Sequence, residues 1–340
     1  MECQRREFLK TLGMGAMFLS GWSLEKLVEA GDTPLSARKD RPNPFVDNGS
    51  PILVVVEGRD SRKMLEAGLD ALGGLKRLVK GKEDVVLKPN FISNQPPPVT
   101  TDVDFTLSIA DFFREAGSGD ISLCESSGFS NFGKDYAKVF EFNESFQKGK
   151  ASRVKIVATD GAARGNYELV QRKGWEANPT VLLDRHLLKS SIVVNVPVLK
   201  KHDTARMSCA LKNQFGAIYV PQRHDVHKKI DQADAGMNIF LKAVAEFADA
   251  VRPELTVVDA RSLLIKGGPL LGGKGEIKRG IDRIILSGDM VAVDTYCARL
   301  LEEHDPTFSP EMIQVTLNHA QTLGLGTRDL GKVKLVELTI

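Results

Sequence analysis

The chain has 340 residues, 42% of them hydrophobic and 26% charged, which is enough to bury a sizeable core. Its 46 basic and 44 acidic residues leave a net charge of only +2, without the basic excess that marks a nucleic-acid binder. No segment reaches the roughly 18 consecutive apolar residues of a bilayer span, and no repeat of solenoid or propeller period is visible.

The N-terminus reads separately from the rest. Gln4-Arg5-Arg6-Glu7-Phe8-Leu9-Lys10 resembles the twin-arginine export signal, and Thr11 to Leu19 supplies a weakly apolar, glycine-containing core behind it. Val28-Glu29-Ala30 offers a small-residue cleavage site. Residues 1–30 are therefore expected to be a signal read by the twin-arginine translocation machinery. A periplasmic or otherwise exported protein follows, with no stable membrane span once the signal is removed. The competing reading is an amphipathic N-terminal helix carrying two surface arginines.

Residues 31–50, with Pro42, Pro44, Asn48 and Gly49, read as an extended linker. Ile52 to Val56 is a buried strand, and Arg62 to Val79 a helix with Leu65, Leu69, Leu72 and Leu75 at helical spacing. A second strand, Asp84 to Lys88, ends in Lys88-Pro89-Asn90, where proline fixes a turn and leaves Lys88 and Asn90 at the strand's carboxyl end. Gln95 to Thr101 is a stiff polyproline loop. Thr101 or Asp102 then caps a helix running to Phe113, and a third strand, Asp120 to Cys124, follows. Glu125 at its end suits a general base or a metal ligand, and equally an ordinary loop carboxylate. Residues 134–178 say least: a helix near Tyr136 to Phe146, then a strand at Val154 to Val157.

The chain is organised around Val193 to Ile218. Ser191 to Val196 is a buried strand dominated by β-branched residues and closed by Pro197, and Lys200, Lys201, His202 and Asp203 emerge just beyond it. In a parallel sheet that is the crevice where ligands bind. Thr204 to Asn213 is compatible with a helix capped by Asp203 or Thr204 and closed by a left-handed Gly216. Its N-terminus would then face an anion held beside Lys200 and His202. Solvated loop lysines and an exposed Lys212 are the bland account of the same residues. Val220 to Lys229 adds His224 and His227, three apart, which with His202 make a candidate metal set; a basic loop ordering over an anion explains them as well.

Asn238 to Val251 is a helix, and Leu255 to Asp259 a strand with Asp259 at its end. The glycines between Gly267 and Gly280 lack dinucleotide-binding spacing. Ile281 to Leu286 is another strand, and Asp289 caps a helix bearing Asp294, which faces either a pocket or a lysine. A helix from Pro310 to Leu323 and a strand from Val333 to Leu338 close the chain. The expected fold over residues 51–340 is α/β, a mostly parallel sheet with helices on both faces, with two lobes around a cleft as one form it could take. Cys3, Cys124, Cys209 and Cys297 contain no C-x-x-C pairing, so neither a disulfide framework nor an iron–sulfur module is expected.

Asn195-Val196-Pro197-Val198-Leu199-Lys200-Lys201-His202-Asp203-Thr204, continuing to Lys212-Asn213-Gln214-Phe215-Gly216, resembles the hallmark of the family catalogued as domain of unknown function 362. Val85 to Asn90, Cys124 to Gly128, Leu255 to Ala260 with Gly267-Gly268-Pro269, Asp289 to Asp294 and Gly324-Leu325-Gly326 match that family in order, from about Ile52 onward. Some members carry a ferredoxin module whose cysteines this chain lacks. The layout is also remotely similar to the lactate racemase family. From the residues and the resemblance together, the expectation is an exported enzyme that binds an anionic small molecule or phosphate-bearing cofactor, with redox or racemase-like chemistry as the candidates. Its cofactor is not specified. Lys200, His202 and Glu125 are the expected catalytic groups, with Lys88, Asn90, Lys201, Thr204, Lys212, Asn213, Asp259 and Asp294 around the ligand. The contrasting reading is a non-catalytic carrier or accessory protein for a metallocofactor or an exported redox complex. Fractionation of cells expressing Arg5→Lys with Arg6→Lys should find the precursor trapped in the cytoplasm, and unchanged export would overturn the signal reading.

Overall fold

The computed structural model describes residues 33–38, 40–93, 95–126, 154–159, 164–231 and 233–340. The expected signal and the helix near Tyr136 to Phe146 lie outside the described residues. Strands are β1 (Leu35–Ser36), β2 (Val46–Asp47), β3 (Ser50–Glu57), β4 (Val85–Pro89), β5 (Ile121–Glu125), β6 (Lys155–Ala158), β7 (Tyr167–Gln171), β8 (Val181–Asp184), β9 (Ile192–Val196), β10 (Val198–His202), β11 (Arg206–Ser208), β12 (Leu255–Ile265), β13 (Glu276–Lys278), β14 (Arg283–Ser287) and β15 (Lys334–Thr339). The α-helices are α1 (Ser61–Ala71), α2 (Val103–Glu115), α3 (Arg185–Lys189), α4 (Val220–Lys228), α5 (Ala233–Val251), α6 (Met290–His304) and α7 (Gln314–Thr322).

A 12-stranded sheet carries the fold, with the path β15-β3-β14-β12-β9-β4-β5-β6, while β1, β7 and β8 form a small separate sheet. Strands β12, β9, β4, β5 and β6 run parallel, as the alternation of strands and helices implied. The sheet is nevertheless mixed. β14 lies antiparallel between β12 and β3, and β11 and β13 add further antiparallel pairs. The cause is the loop of glycines after β12, which turns the chain straight back into β13 and β14 where a helical crossover would have kept the direction.

Strand alternation sorts the core onto two faces. Val54, Val56, Val85, Leu87 and Leu286 pack with Leu65 and Leu69 of α1 and Phe105, Ile109 and Phe113 of α2. Leu53, Val55, Val86, Val193 and Val258 pack with α5, α6 and α7 on the other face. Helices cover both faces, as expected. Their starts follow from capping carboxylates: Asp60 accepts from Arg62 N and Lys63 N, Asp102 from Phe105 N, and Asp289 from Ala292 N.

Two local expectations fail. The stretch read as an extended tether is docked on the domain: Arg38 is buried and donates to the carbonyls of Val251, Arg252, Ser190 and Ser191 while pairing with Glu254. More consequentially, Thr204 to Asn213 is not a helix. After Pro197 the chain resumes as β10, parallel to β12, then doubles back so that Lys200 faces Ser208 and His202 faces Arg206. A short 3-10 turn over Lys212–Ala217 follows.

Candidate functional site

Because β4, β5 and β9 are parallel, their carboxyl ends share one rim, and the side chains there meet. Lys88 is completely buried, and its Nζ lies 2.8 Å from Glu125 Oε2. Glu125 Oε1 also accepts from Ser126 N at 2.7 Å. The pair is roofed by backbone at Gly216, where a Cβ would overlap Glu125 Oε1 and lie 2.8 Å from Lys88 Nζ. Gly216 is thus required by close approach, and its φ is not positive, which corrects the expected left-handed cap.

A chain of amides ties this pair to the next strand. Asn213 Nδ2 donates to Lys88 O, Pro89 O and Asn195 Oδ1 at 3.1, 3.3 and 2.8 Å, and its Oδ1 accepts from Asn90 Nδ2 at 2.9 Å. Asn90 Oδ1 in turn accepts from Lys200 Nζ at 2.8 Å, and Val99 O accepts from the same ammonium at 2.6 Å. Asn90 and Asn213 therefore orient lysines and strand ends. Both ends of Lys200's environment are neutral acceptors, and burial pushes its pKa down to about 7. Lys212 is half-buried with its Nζ 3.6 Å from the centre of the Phe215 ring, a cation–π contact. Desolvation, then repulsion from Arg223, Lys200 and Lys88, holds its pKa well below the ordinary lysine range.

Alternation along β10 puts Lys200 and His202 on one face and Lys201 on the other. His202 Nδ1 accepts from the backbone N–H groups of Thr204 and Ala205, both at 3.1 Å, which leaves the proton on Nε2. Burial and then the charges of Lys212 and Lys200 keep this imidazole neutral far below its usual pKa. His227 is held the opposite way. Its Nδ1 lies 2.7 Å from Arg223 O, so that nitrogen donates, and burial lowers its pKa to about 4.

Several expected site residues are occupied elsewhere. Lys201 Nζ donates to Thr307 O at 2.9 Å, beside Phe308 and Met312, and so pins β10 to the loop before α7. Asp259 is paired with Arg261 at 2.7 Å. Asp294 accepts from Ala210 N and Leu211 N at 2.7 and 3.1 Å, so it fixes the turn that presents Lys212 and Asn213. Thr204 contributes its backbone to His202. The metal set is not assembled: among the described residues no group of three or more His, Cys, Asp or Glu is placed to hold a metal ion, so His202, His224 and His227 do not form one. Two residues went unread in the sequence, Arg223, which donates to Ser126 Oγ at 2.7 Å, and Gly216 as a contact. The only sequence signal for the latter was its fixed place after Lys212-Asn213. Two open depressions of about 430 and 730 Å³, one beside Asp60 and Ile340 and one beside Asp40 and Arg172, share no residue with this cluster.

Two outcomes follow from this geometry. Gly216→Ala should force the Lys88–Glu125 pair apart and cost about 3–5 kcal/mol, the usual consequence of breaking a buried pair, measured by urea unfolding; a loss below about 1 kcal/mol would mean the pair has room to move. For Lys200, the unfolded chain holds the proton between pH 7 and 10.5 while the folded chain does not, so stability rises with pH across that window. Lys200→Met should therefore be stabilised relative to wild type by a few kcal/mol more at pH 6.5 than at pH 9.5. A pH-independent difference would show that this lysine titrates normally.

Comparison with known proteins agrees with the sequence pattern. A thylakoid-associated protein of Synechocystis sp. is 26% identical over 246 residues, covering 72% of this chain and 70% of its own. Two solved structures align less closely. The lactate racemase apoprotein of Thermoanaerobacterium thermosaccharolyticum matches at TM-score 0.49 and 11% identity over 75% of this chain and 58% of its own. A Thermotoga maritima protein matches at 0.44 and 13% over 71% and 59%. This chain spans less than two thirds of either. The model of the family described as Domain of unknown function (DUF362) matches residues 85–299, the segment that carries Lys88, Glu125, Lys200, His202 and Lys212, and the chain belongs to that family.

Proposed function

We propose that the rim cluster is a binding site for a small anion, a phosphate-bearing compound or a carboxylate, in an exported protein. One observation carries the reading. Beyond the compensated Lys88–Glu125 pair, Lys200 is wholly buried and Lys212 half-buried, and among the described residues no carboxylate bonds to either. Cations placed so are costly without an opposite charge, and an anion at the rim would supply it.

The same geometry supports an enzymatic role over passive carriage. A buried lysine whose proton is held loosely near neutrality is suited to exchange it with a ligand, and Lys200 is that group. His202, kept neutral with its proton on Nε2, serves as a hydrogen-bond donor, and Glu125 is engaged in holding Lys88. Proton transfer is thus assigned to Lys200 in place of the histidine and glutamate expected from sequence.

Calorimetric titration with inorganic phosphate, pyrophosphate and lactate at pH 8, in buffers of different ionisation enthalpy, tests this. The expected result is binding by at least one probe with net proton uptake, weakening as pH rises from 7 to 9. Lys212→Ala should reduce affinity roughly 10- to 100-fold, the worth of one charge-assisted hydrogen bond. Binding with no proton uptake, or no binding by any of the three probes, would remove the reading.

A further inference from the structure

Lys200 is wholly buried, so a ligand that contacts it must first displace something. Two segments meet near this end of β10, one at the Lys200 ammonium and one at the turn that follows the strand. Val99 O accepts from the Lys200 ammonium directly, and Val99 N donates back to Pro96 O at 3.0 Å, so the turn that follows Gln95 ends on that side chain. The loop after β12 packs against the backbone where β10 ends. Its Gly268 sits so close to the β10 turn that a Cβ would overlap Lys201 O, and it exchanges two hydrogen bonds with Asp203. Asp203 N donates to Gly268 O at 3.1 Å, and Gly268 N donates to Asp203 Oδ1 at 3.3 Å.

These two segments are joined by one side chain. Gln95 Nε2 donates to Leu271 O at 3.0 Å, while Leu271 N donates to Gln95 Oε1 at 2.7 Å. A primary amide thus reads one residue's backbone in both directions, as a neighbouring strand would. The far side of the contact is open. Leu271 is exposed, and Gly272 and Gly273, with φ of +143° and +57°, have no atom within 4 Å of where a Cβ would stand. Two solvent-exposed hydrogen bonds are readily exchanged for water. The three consecutive prolines after Gln95 make its own segment stiff, so release of the amide frees the glycine side of the contact to swing.

We propose that the Gln95–Leu271 clasp is a gate over the Lys200 and Asn90 end of the rim cluster, closed in this conformation and opened by release of the two amide hydrogen bonds. The inference rests on the anion-site reading for the purpose of the gate, but its test is independent of it. The full-length protein is treated at pH 8 with acetic anhydride, and acetylation of each lysine is followed by peptide mass spectrometry. Lys200, being largely unprotonated there, reacts as soon as it is reached. Gln95→Ala should acetylate Lys200 about tenfold faster than wild type, and Gln95→Glu, which loses the donor and repels Leu271 O, should do the same. Lys88, equally buried but beneath Gly216, should remain as slow as in wild type. Unchanged Lys200 rates in both variants, or Lys88 accelerating in parallel, would overturn the gate, the second because it reports general loosening. Adding inorganic phosphate separates the two proposals. Faster acetylation without phosphate protection keeps the gate and removes phosphate as the ligand, whereas protection with rates indifferent to Gln95 keeps the site and removes the gate.

Discussion

Placing the Lys88 ammonium inside a β-strand, with no access to water, is the constraint from which the rest of the rim is built. An isolated buried ammonium is untenable, and a buried ion pair stands only when its geometry and secondary hydrogen bonds are good. Glu125 supplies the opposite charge from the neighbouring parallel strand, Ser126 N–H satisfies its second oxygen, and Gly216 gives up a side chain so that backbone can seal the pair. Each partner sits at a carboxyl strand end. The parallel order of β9, β4 and β5 is what brings those ends together.

The pair then organises its neighbours through amides, not charges. Asn213 reaches the carbonyls on either side of the Lys88–Pro89 bond and hands on to Asn195 and Asn90, and Asn90 holds Lys200. Amides carry both a donor and an acceptor, so a chain of them transmits position without adding charge. That matters in a region already over-supplied with cations. Asp294 does similar work from below: its carboxylate collects two backbone N–H groups, and burial raises its pKa to about 6. It acts as a brace for the Lys212 turn.

Much of this was legible in the sequence because strand ends are legible. β-branched runs ended by Lys88-Pro89-Asn90, Glu125 and Asn195-Val196-Pro197 located the rim correctly, since parallel strands must be buried on both faces and their polar residues can only gather at the ends. What failed was long-range. Thr204 to Asn213 has residues acceptable to a helix, but His202 Nδ1 captures the N–H groups of Thr204 and Ala205 and starts a hairpin instead. Arg206 takes a positive φ within it, a cost set by tertiary pairing that no local propensity announces. Lys201 reads in the sequence as a ligand group beside Lys200, and the pleat of β10 sends it to the other face. Asp259 looked like a ligand group until Arg261, two residues on, claimed it. The antiparallel β14 was invisible for a related reason: its direction depends on how a glycine loop closes, not on the composition of the strand.

The electrostatic state of the rim follows from these placements. Glu125 is committed to Lys88 and does not neutralise Lys200 or Lys212, so burial makes both give up their protons more easily. Any opposite charge brought to the rim would raise the pKa of the lysines it meets, which links the protonation of these groups to their charge environment. Histidine would not serve here: His202 and His227 lie in the same field, and their pKa values fall so far that at neutral pH both are fixed as neutral groups. Lysine starts from 10.5, and the same kind of penalty brings Lys200 to about 7, where its proton is exchangeable. In a buried, cation-rich rim the residue that starts with the higher intrinsic basicity is the one left able to titrate near neutrality.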